Sequence, residues 1–378
     1  MTTSDTPYRD STLTPAARAA DLLARMTIDE KVAQLGGIWP RAVVKDGRFD
    51  ETMAAEALAH GAGHISRIAA STVMDPRETA ELANAIQRYL IERTRLGIPA
   101  VVHEESCAGY TAKGATCFPQ AIGLASTWNP DLIRTMADTI RRQMRAAGAH
   151  HSLAPVLDIA RDHRWGRVEE TYGEDPYLAA RLGVAYVQGL QGPSLAEGIV
   201  ATGKHFIGYA ASEGGLNWAP THIGARELRE IYAVPFEAAI REAGLASMMN
   251  SYAEIDGIPC GGSPAVLRDL LRDELGFDGT VVADYFTVTT LLTYHRIANS
   301  PEEAAVRALE AGIDVELPDA VMYRALPQAV AAGRIDEAVI DASVLRVLRQ
   351  KFELGLFEHP YVDPAAAGPR LAGWRHVR

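Results

Sequence analysis

The sequence has little cysteine and no long hydrophobic run. Cysteine occurs 3 times in 378 residues, at Cys107, Cys117 and Cys260. This odd number, without metal-ligand spacing, predicts free thiols in a reducing compartment and no disulfide framework. Because no apolar run reaches about 18 residues, we expect no transmembrane helix. The polar N-terminus lacks the apolar core of a signal peptide, so the sequence predicts a cytoplasmic location.

Positive charge is also in deficit. The chain has 48 acidic and 37 basic residues, for a formal net charge of -11. A broad surface for nucleic acid or anionic membrane needs an excess of lysine and arginine, so we expect neither partner. Hydrophobic residues make up 48% of the chain and charged residues 22%, a composition typical of a globular domain with a large core.

Short apolar runs alternate with longer amphipathic segments along the chain. The runs predict buried strands at 36–39, 63–68, 100–103, 151–159, 199–206, 246–252, 280–284 and 312–317. The segments between them predict helices at 50–60, 76–95, 130–147, 176–191, 225–242, 264–275, 288–295 and 301–311. Several begin with proline after a capping residue, as in Asn129-Pro130, Asp175-Pro176 and Ser300-Pro301. Before the first strand, 18–35 predicts helix with a capping box at Thr27–Glu30.

Repeated strand-helix units predict an α/β fold with a parallel sheet, and eight such strands close a (β/α)8 TIM-type barrel. The first run is short and glycine-rich, so we expect an irregular first strand. Further helices are predicted at 319–332 and 335–354. We expect 1–17 to be a flexible N-terminus, 18–359 to form the barrel, and 360–378, rich in Pro, Ala and Gly, to be a linker-like tail.

In such a barrel, chemistry lies at the C-terminal ends of the strands. The polar residues at these ends are His103, Glu104, Glu105, Asp158, Arg161, Asp162, Arg164, Arg167, Lys204, His205, Asn250, Tyr252, Asp284 and Glu316. Asp284 ends a buried run, where a carboxylate is costly to desolvate unless it is paired or used in chemistry. The ordinary alternative is a helix N-cap. No histidine and carboxylate cluster has metal-ligand spacing, so we expect no metal and no cofactor.

Four motifs resemble glycoside hydrolase family 3. They are Asp-His-Arg-Trp-Gly-Arg-Val-Glu-Glu-Thr-Tyr-Gly-Glu-Asp-Pro-Tyr-Leu at 162–178, Lys204-His205-Phe206, Met249-Asn250-Ser251-Tyr252 and Val282-Ala283-Asp284-Tyr285. The resemblance extends from Met26 to Phe357, with the motifs in the family's order and spacing. The family's first domain is a (β/α)8 or similar barrel. Its members include β-glucosidases, β-xylosidases and N-acetylglucosaminidases that act from the non-reducing end with retention of configuration.

The resemblance implies a retaining, exo-acting β-glycosidase for terminal β-D-glucosyl or β-D-xylosyl residues of an oligosaccharide or glycoside. Asp284 matches the nucleophile, which forms a covalent glycosyl-aspartate and which nearby cations favour in the ionised form. The residues that match sugar binding are Glu105, Arg167, Lys204, His205 and Tyr252. Glu105 is aspartate in many members and glutamate in a xylosidase-like branch. Tyr252 matches a tyrosine whose hydroxyl can donate to the nucleophile.

Neighbouring polar residues have structural interpretations. We expect Arg164 to pair with Glu174, and Asp158 and Asp162 to support the arginines of their loop. Glu316 is predicted to be structural.

Two further residues near the predicted pocket need separate interpretations. Glu104 competes with Glu105 for the sugar-binding role, but strand alternation directs the two side chains to opposite sides. Trp218, in a polar glycine-rich loop, is the best candidate for a platform that stacks on sugar.

The general acid/base is missing from these motifs. A retaining glycosidase needs a second carboxyl about 5–5.5 Å from the nucleophile. In most two-domain members of the family, this glutamate comes from a second domain after the barrel, and this sequence stops at the linker. The histidine loop of the single-domain N-acetylglucosaminidase branch has no match. Glu213, after the fifth strand, is a substitute candidate; otherwise the acid comes from a partner chain, another copy in a homo-oligomer or a further domain.

Two other functions remain open from sequence. One is a sugar-binding barrel with little turnover, because the acid/base is not found. The other is a Schiff-base aldolase built on Lys204, although neither an apolar pocket nor a phosphate-binding glycine loop accompanies this lysine.

Overall fold

A parallel sheet curls around the centre of the molecule in the computed structural model, which describes residues 6–372. Its seven strands are hydrogen-bonded in chain order. They are β1 (Gly37–Ile38), β2 (His64–Ser66), β3 (Val101–Glu104), β4 (His151–Ser152), β5 (Val200–Phe206), β6 (Ser247–Asn250) and β7 (Thr280–Val282). Every neighbouring pair is parallel, as in the register of Thr280 with Ser247.

An eighth position joins the two edges of this sheet. Val315 forms a parallel bridge with Val282 of β7, and Glu316 forms one with Gly36 just before β1. The amide of Glu316 donates to the Leu35 carbonyl at 2.8 Å. The predicted TIM-type (β/α)8 architecture is confirmed, with bridges instead of a regular strand at the eighth position.

The glycines at the first strand lie against the segment that follows the eighth position. A Cβ on Gly36 would be 2.2 Å from the Cβ of Ala320, and one on Gly37 would be 2.4 Å from the carbonyl oxygen of Pro318. Real side chains cannot occupy these distances, so the close approach requires glycine. The predicted irregular first strand is therefore confirmed, at two residues.

Helices pack around the outside of the sheet. The α-helices are Pro15–Leu23, Ile28–Gln34, Glu51–Ala57, Ile68–Thr72, Pro76–Arg93, Ala121–Ala125, Pro130–Ala146, Pro176–Gln191, Ala225–Glu227, Val234–Ala243, Thr287–Thr293, Pro301–Ala311, Leu326–Ala331, Glu337–Glu353 and Pro364–Ala372. Leu228–Tyr232 and Ala265–Glu274 are π-helical. Among residues 6–372, no helix combines the length and the apolar character needed to cross a membrane.

The predicted helix starts are confirmed by their caps. The side chains of Asn129, Asp175 and Ser300 each accept a hydrogen bond from the amide three residues later, at 3.1, 2.7 and 3.1 Å. Thr27 and Glu30 form the reciprocal capping box. Each cap pairs an amide that the first helical turn leaves without a partner, and so fixes where the helix begins.

Two predicted helices are interrupted. The segment 225–242 divides at Ala233, and Pro235, which has no amide hydrogen, lies in the first turn of the second part. The segment 319–332 starts late, because the buried Glu316 carboxylate accepts the amides of Met322 and Tyr323 at 2.8–3.0 Å. This bonding pattern confirms the structural role predicted for Glu316.

The N-terminal region is more ordered than the sequence predicts. Helix Pro15–Leu23 begins within the segment 1–17 expected to be flexible. Ahead of it, Tyr8 is buried, and its hydroxyl donates to the Leu96 carbonyl at 3.1 Å. The prediction is therefore wrong from Tyr8 onward, because a buried aromatic side chain fixes this segment. Residues 1–5 lie outside the described part of the chain.

The tail is also ordered up to its helix. Val362 exchanges two backbone hydrogen bonds with the Asn84 side chain, and Gln143 donates to the Leu371 carbonyl at 2.8 Å. Helix Pro364–Ala372 buries Ala367 and Leu371, one turn apart. The linker-like interpretation is wrong for this helix, since its small residues give a weak periodic signal. Residues 373–378 lie outside the described part, and the division into domains stays a prediction.

Candidate active site

Asp284 lies two residues after the end of β7 and is held by hydrogen bonds to Tyr285 and Asn250. Its Oδ1 accepts the amide of Tyr285 at 2.8 Å, and its own amide donates to Oδ1 of Asn250 at 3.2 Å. Its Oδ2 is buried and has no hydrogen-bond partner among residues 6–372. The helix that follows, Thr287–Thr293, has Phe286 at its N-cap and no side-chain cap. The helix-cap alternative for Asp284 is therefore wrong.

The charge of Asp284 results from two opposing influences. Burial raises the pKa of its carboxyl, while Arg167, Lys204, the Tyr285 amide and the Tyr252 hydroxyl lower it. Burial has the larger effect, and the resulting pKa is about 6. The cations keep the carboxyl mainly ionised at neutral pH despite its burial. This agrees with the requirement that a nucleophile be a carboxylate.

His205 lies between two carboxyl groups. Its Nδ1 is 2.8 Å from Oδ2 of Asp158, and its backbone amide donates to the same oxygen at 3.0 Å. Its Nε2 is 3.7 Å from Oδ2 of Asp284. Burial, with Arg167 and Lys204, holds the pKa of His205 well below 6.5, so the ring is neutral. The prediction that Asp158 supports arginines is wrong, because both of its hydrogen bonds go to His205.

Lys204, at the end of the buried strand β5, pairs with Glu105. The distance from its Nζ to Oε2 of Glu105 is 3.0 Å, and the lysine is 3% exposed. Burial lowers the pKa of Lys204, but Glu105, Cys107 and Asp284 together outweigh burial, and the pKa is raised overall. A Schiff-base lysine needs a lowered pKa to act as a free amine, so this pairing argues against the aldolase alternative.

Glu104 and Glu105 lie on opposite sides of the chain, as strand alternation predicts. Glu104 is buried and accepts the Ala69 amide at 2.7 Å. Burial raises the pKa of Glu104 to about 8, so it is largely protonated and apart from the cations. Glu105 is therefore the carboxylate of this pair that faces the site.

The two arginines of the loop after β4 have different surroundings. Arg167 binds Glu170 through two nitrogens, at 2.6 and 2.8 Å, and its charge acts on Asp284. Arg164 is exposed and binds Asp162. The predicted Arg164–Glu174 pair is wrong, because Asp162 is two residues away and also accepts the Arg164 amide at 2.9 Å. That Asp162 supports an arginine is confirmed.

Tyrosines cover the site from the side of β5 and β6. The hydroxyl of Tyr252 donates to the Tyr285 carbonyl and lies close enough to Asp284 to lower its pKa. Because the single hydroxyl hydrogen of Tyr252 goes to the Tyr285 carbonyl, its donation to Asp284 stays a prediction. Sequence reasoning missed Tyr209, whose ring centroid is 5.1 Å from that of His205. Its signal is weak, since it lies past the end of β5 in a 3₁₀ turn.

Aromatic residues also line the outer rim. Trp218 makes edge contacts with Tyr252 at 5.9 Å and with Tyr294 at 5.1 Å between ring centroids. Trp39 contacts Tyr285 at 5.9 Å in the same manner. These contacts place Trp218 beside the residues that surround Asp284, and its role as a sugar platform stays a prediction.

Glu213 is separate from this cluster. It lies in an exposed turn, Glu213–Gly215, and its carboxylate is 3.8 Å from Nε2 of His222. No described hydrogen bond or ion pair joins it to Asp284. Its role as acid/base stays a prediction.

Within 6–372, no group of histidine, cysteine and acidic side chains is arranged to hold a metal ion, and all three cysteines are free.

Comparisons with known proteins identify the family of this chain. Residues 27–350 match the glycosyl hydrolase family 3 N terminal domain. The chain is 38% identical to a putative β-xylosidase of Formosa agariphila, covering 96% of this chain and 48% of that protein. It is 37% identical to a lysosomal β-glucosidase of Dictyostelium discoideum, covering 81% and 38%.

Solved structures give the same result. The β-glucosidase EmGH1 of Erythrobacter marinus superposes with a TM-score of 0.91 at 39% identity, covering 97% of this chain and 49% of that one. A β-glucosidase of Listeria innocua in complex with isofagomine superposes with a TM-score of 0.81 at 32% identity, covering 95% and 47%. The chain spans about half the length of the curated relatives it matches. By fold, motifs and matched length, this chain belongs to glycosyl hydrolase family 3.

Proposed function

We propose that this chain supplies the nucleophile and the sugar pocket of a retaining, exo-acting β-glycosidase. Its substrates are terminal, non-reducing β-D-glucosyl or β-D-xylosyl residues of oligosaccharides or glycosides. One observation carries the proposal: Oδ2 of Asp284 is buried without a partner, beside charged donors that favour its ionised form. The β-glucosidases and β-xylosidases among the relatives support it.

The reaction proceeds in two displacements. Oδ2 of Asp284 attacks the anomeric carbon, a carbon–oxygen bond to the aspartate forms, and the glycosidic carbon–oxygen bond breaks. The leaving oxygen takes a proton from a general acid. Water then attacks the glycosyl-aspartate, gives up a proton to the same group acting as base, and releases the Asp284 carboxylate. Two displacements at one carbon retain its configuration.

The pocket is pre-organised by pairs of opposite charge. Lys204 forms a salt bridge with Glu105, and Arg167 forms one with Glu170. Each cation keeps nitrogen–hydrogen groups that its partner does not use, so it can donate to a sugar hydroxyl without first losing rotamer freedom. Such charge-assisted bonds become stronger as the sugar distorts toward the transition state.

The acid/base has two possible sources. Within the chain we retain Glu213, because Trp218 of the same loop lies against Tyr252 beside the nucleophile. A second copy, a partner chain or a further domain is the other source. Substitution of Glu213 separates them: Glu213→Gln slows unactivated disaccharides far more than nitrophenyl glycosides only if Glu213 is the acid.

Nitrophenyl glycosides test the nucleophile without depending on the acid, because their leaving group needs little protonation. We expect hydrolysis of the β-glucoside or the β-xyloside and covalent capture of a 2-fluoro sugar on Asp284. Asp284→Asn should abolish both reactions, while the matched control Asp162→Asn, in an exposed pair with Arg164, should retain them. Absence of both reactions in the wild type, or net inversion of the product anomer by NMR, contradicts the proposal.

A sugar-binding barrel with little turnover is the second candidate. The exposed Glu213, paired with His222 and not with the cluster, favours it. In that case, calorimetry would detect binding of glucose or xylose, while nitrophenyl glycosides would remain intact and no covalent adduct would form.

A further inference from the structure

Asp158 is buried, and both of its side-chain hydrogen bonds are with one residue, His205. Its Oδ2 accepts the backbone amide of His205 at 3.0 Å and faces Nδ1 of the same residue at 2.8 Å. The side chains of Asp158 and His205 are each 1% exposed, so water does not compete for these bonds. An ionised carboxylate only accepts hydrogen bonds, and therefore Nδ1 of the neutral ring carries the proton.

The other ring nitrogen is thereby an acceptor. Nε2 of His205 faces Oδ2 of Asp284 at 3.7 Å, and that oxygen has no hydrogen-bond partner among residues 6–372. Two acceptors at this distance form no hydrogen bond with each other. Both lone pairs are available to a group that donates, and a sugar hydroxyl is such a group.

We propose that Asp158 is a positioning residue that fixes His205 as the Nδ1–H tautomer, so that Nε2 recognises a sugar hydroxyl by accepting its hydrogen. The opposite tautomer would direct an N–H group from Nε2 toward Oδ2 of Asp284 and could not accept the hydrogen of a sugar hydroxyl. The inference rests on the proposed function and adds a substrate requirement. The sugar needs a free, donating hydroxyl beside the nucleophile, and replacement of that hydroxyl by hydrogen is not tolerated.

The charges around Asp158, His205 and Asp284 are compatible with a neutral His205 protonated at Nδ1. The charged and titratable groups that act on Asp158, His205 and Asp284 are Arg167, Glu170, Lys204, Tyr209, Tyr252 and Tyr285. The two cations oppose protonation of His205. Burial raises the pKa of Asp158 to about 7. Above this pH the group is an ionised carboxylate, which accepts the hydrogen bond from Nδ1–H of His205 and has no proton to donate.

The tautomer can be observed without activity. In protein labelled with ¹⁵N-histidine at pH 8, the nitrogen shifts of His205 should report a neutral ring protonated at Nδ1. His205→Gln identifies the signal by its loss. Asp158→Ala should convert it to a tautomer mixture, while Asp162→Asn leaves it unchanged. A wild-type ring that is protonated at Nε2, or at both nitrogens, overturns the proposal.

Kinetics on monodeoxy nitrophenyl glycosides test the substrate requirement. In the wild type, one monodeoxy substrate should lose roughly 10- to 100-fold in kcat/KM, the effect of a buried acceptor left unpaired. In Asp158→Ala this particular penalty should nearly disappear, while the penalties at other positions remain. Asp158→Asn, whose amide oxygen can accept both nitrogen–hydrogen groups, should restore it.

A merely structural role for Asp158 gives a different result: all substrates slow by one common factor, and the deoxy pattern stays unchanged, which overturns the proposal. Failure of the proposed function is distinguishable, because the wild type would then hydrolyse nothing while the NMR measurement still decides the tautomer. If Asp158→Ala does not fold, Asp158→Asn is compared with the wild type at pH 8 instead. The proposal then requires that Asp158→Asn keep both the Nδ1–H tautomer of His205 and the loss of kcat/KM on the deoxy substrate.

Discussion

At the residue scale, the candidate site combines paired charges with an unpaired carboxylate oxygen. The two cations and the neutral histidine each have their own carboxyl partner. Oδ2 of Asp284 has no hydrogen-bond partner in the described chain. Because pairing fixes the donors while leaving this oxygen free, the arrangement suits the proposed attack of Asp284 on a bound sugar.

The pH dependence of kcat/KM should follow Asp284. Its pKa, raised to about 6 mainly by burial, predicts that activity is present above pH 6 and is lost as the pH falls through it. Lys204→Met removes a cation that lowers this pKa, so the acid limb should move to higher pH. Loss of a charged donor should also reduce kcat/KM about 10- to 100-fold.

The measurement is a pH–rate profile with a nitrophenyl glycoside. Lys113→Met, a lysine-to-methionine change at an exposed position, is the matched control and should leave the limb in place. An acid limb that does not move in Lys204→Met would show that this lysine does not set the ionisation of Asp284.

Sequence reasoning identified residues more reliably than their partners. Asp284, Lys204 and Glu105 follow from motifs at strand ends, and the structure brings them together. The partners of Asp158 and Arg164 were assigned wrongly, because pairing depends on which atoms a turn brings within about 3 Å. A strand end specifies the rim of the barrel but not which neighbour each carboxylate faces.

At the element scale, closure of the barrel depends on the two-residue strand β1. A Cβ on Gly36 would meet the Cβ of Ala320 at 2.2 Å and its Cα at 3.2 Å. Gly36→Val should therefore displace the segment that follows the eighth position and destabilise the protein by about 1–3 kcal/mol, the usual cost of overpacking. Urea unfolding followed by circular dichroism measures the change.

A glycine in open surroundings provides the control. Nothing lies within 4 Å of a Cβ on Gly224, whose φ of -67° suits any residue. Gly224→Ala should leave the unfolding midpoint within experimental error. Equal midpoints for wild type and Gly36→Val would contradict the tight closure inferred here.

Most elements could be predicted because their signals are local. Buried runs and proline after a capping residue fix strands and helix starts within a few residues, as at Pro176–Gln191. The eighth position was predicted as a strand at 312–317, but its reduction to single bridges and the existence of helix Pro364–Ala372 depend instead on tertiary contacts. The eighth position is held by bridges to both sheet edges, and that helix has small residues that pack without a strong periodic pattern.

At the scale of the whole molecule, a buried lysine joins the last long helix to the start of the barrel. Lys351, in Glu337–Glu353, is 0% exposed and donates to Oε1 of Gln34 and to the Ala62 carbonyl at 3.2 Å. These partners precede β1 and β2, so the contact lies at the N-terminal ends of the strands, away from the site. Residues on that face of a barrel serve stability.

Burial lowers the pKa of Lys351 from 10.5 to about 7, and this gives a stability prediction with a definite sign. Between pH 7 and 10.5 the unfolded chain binds a proton that the folded protein does not, so the free energy of unfolding rises with pH across this window. For one group the slope is about 1.4 kcal/mol per pH unit. Lys351→Met should abolish this slope.

Lys31 provides a control of opposite sign. Burial opposes its charge, but the carboxylates of Asp341 and Glu337 raise its pKa overall. Its stabilisation is therefore complete below pH 10.5, and Lys31→Met should lower the free energy of unfolding at pH 7 while retaining the rise toward pH 10. Urea unfolding at pH 7, 8, 9 and 10 separates the two variants. A rise that persists in Lys351→Met would mean that Lys351 stays charged, with its ammonium satisfied by Gln34 and the Ala62 carbonyl despite complete burial.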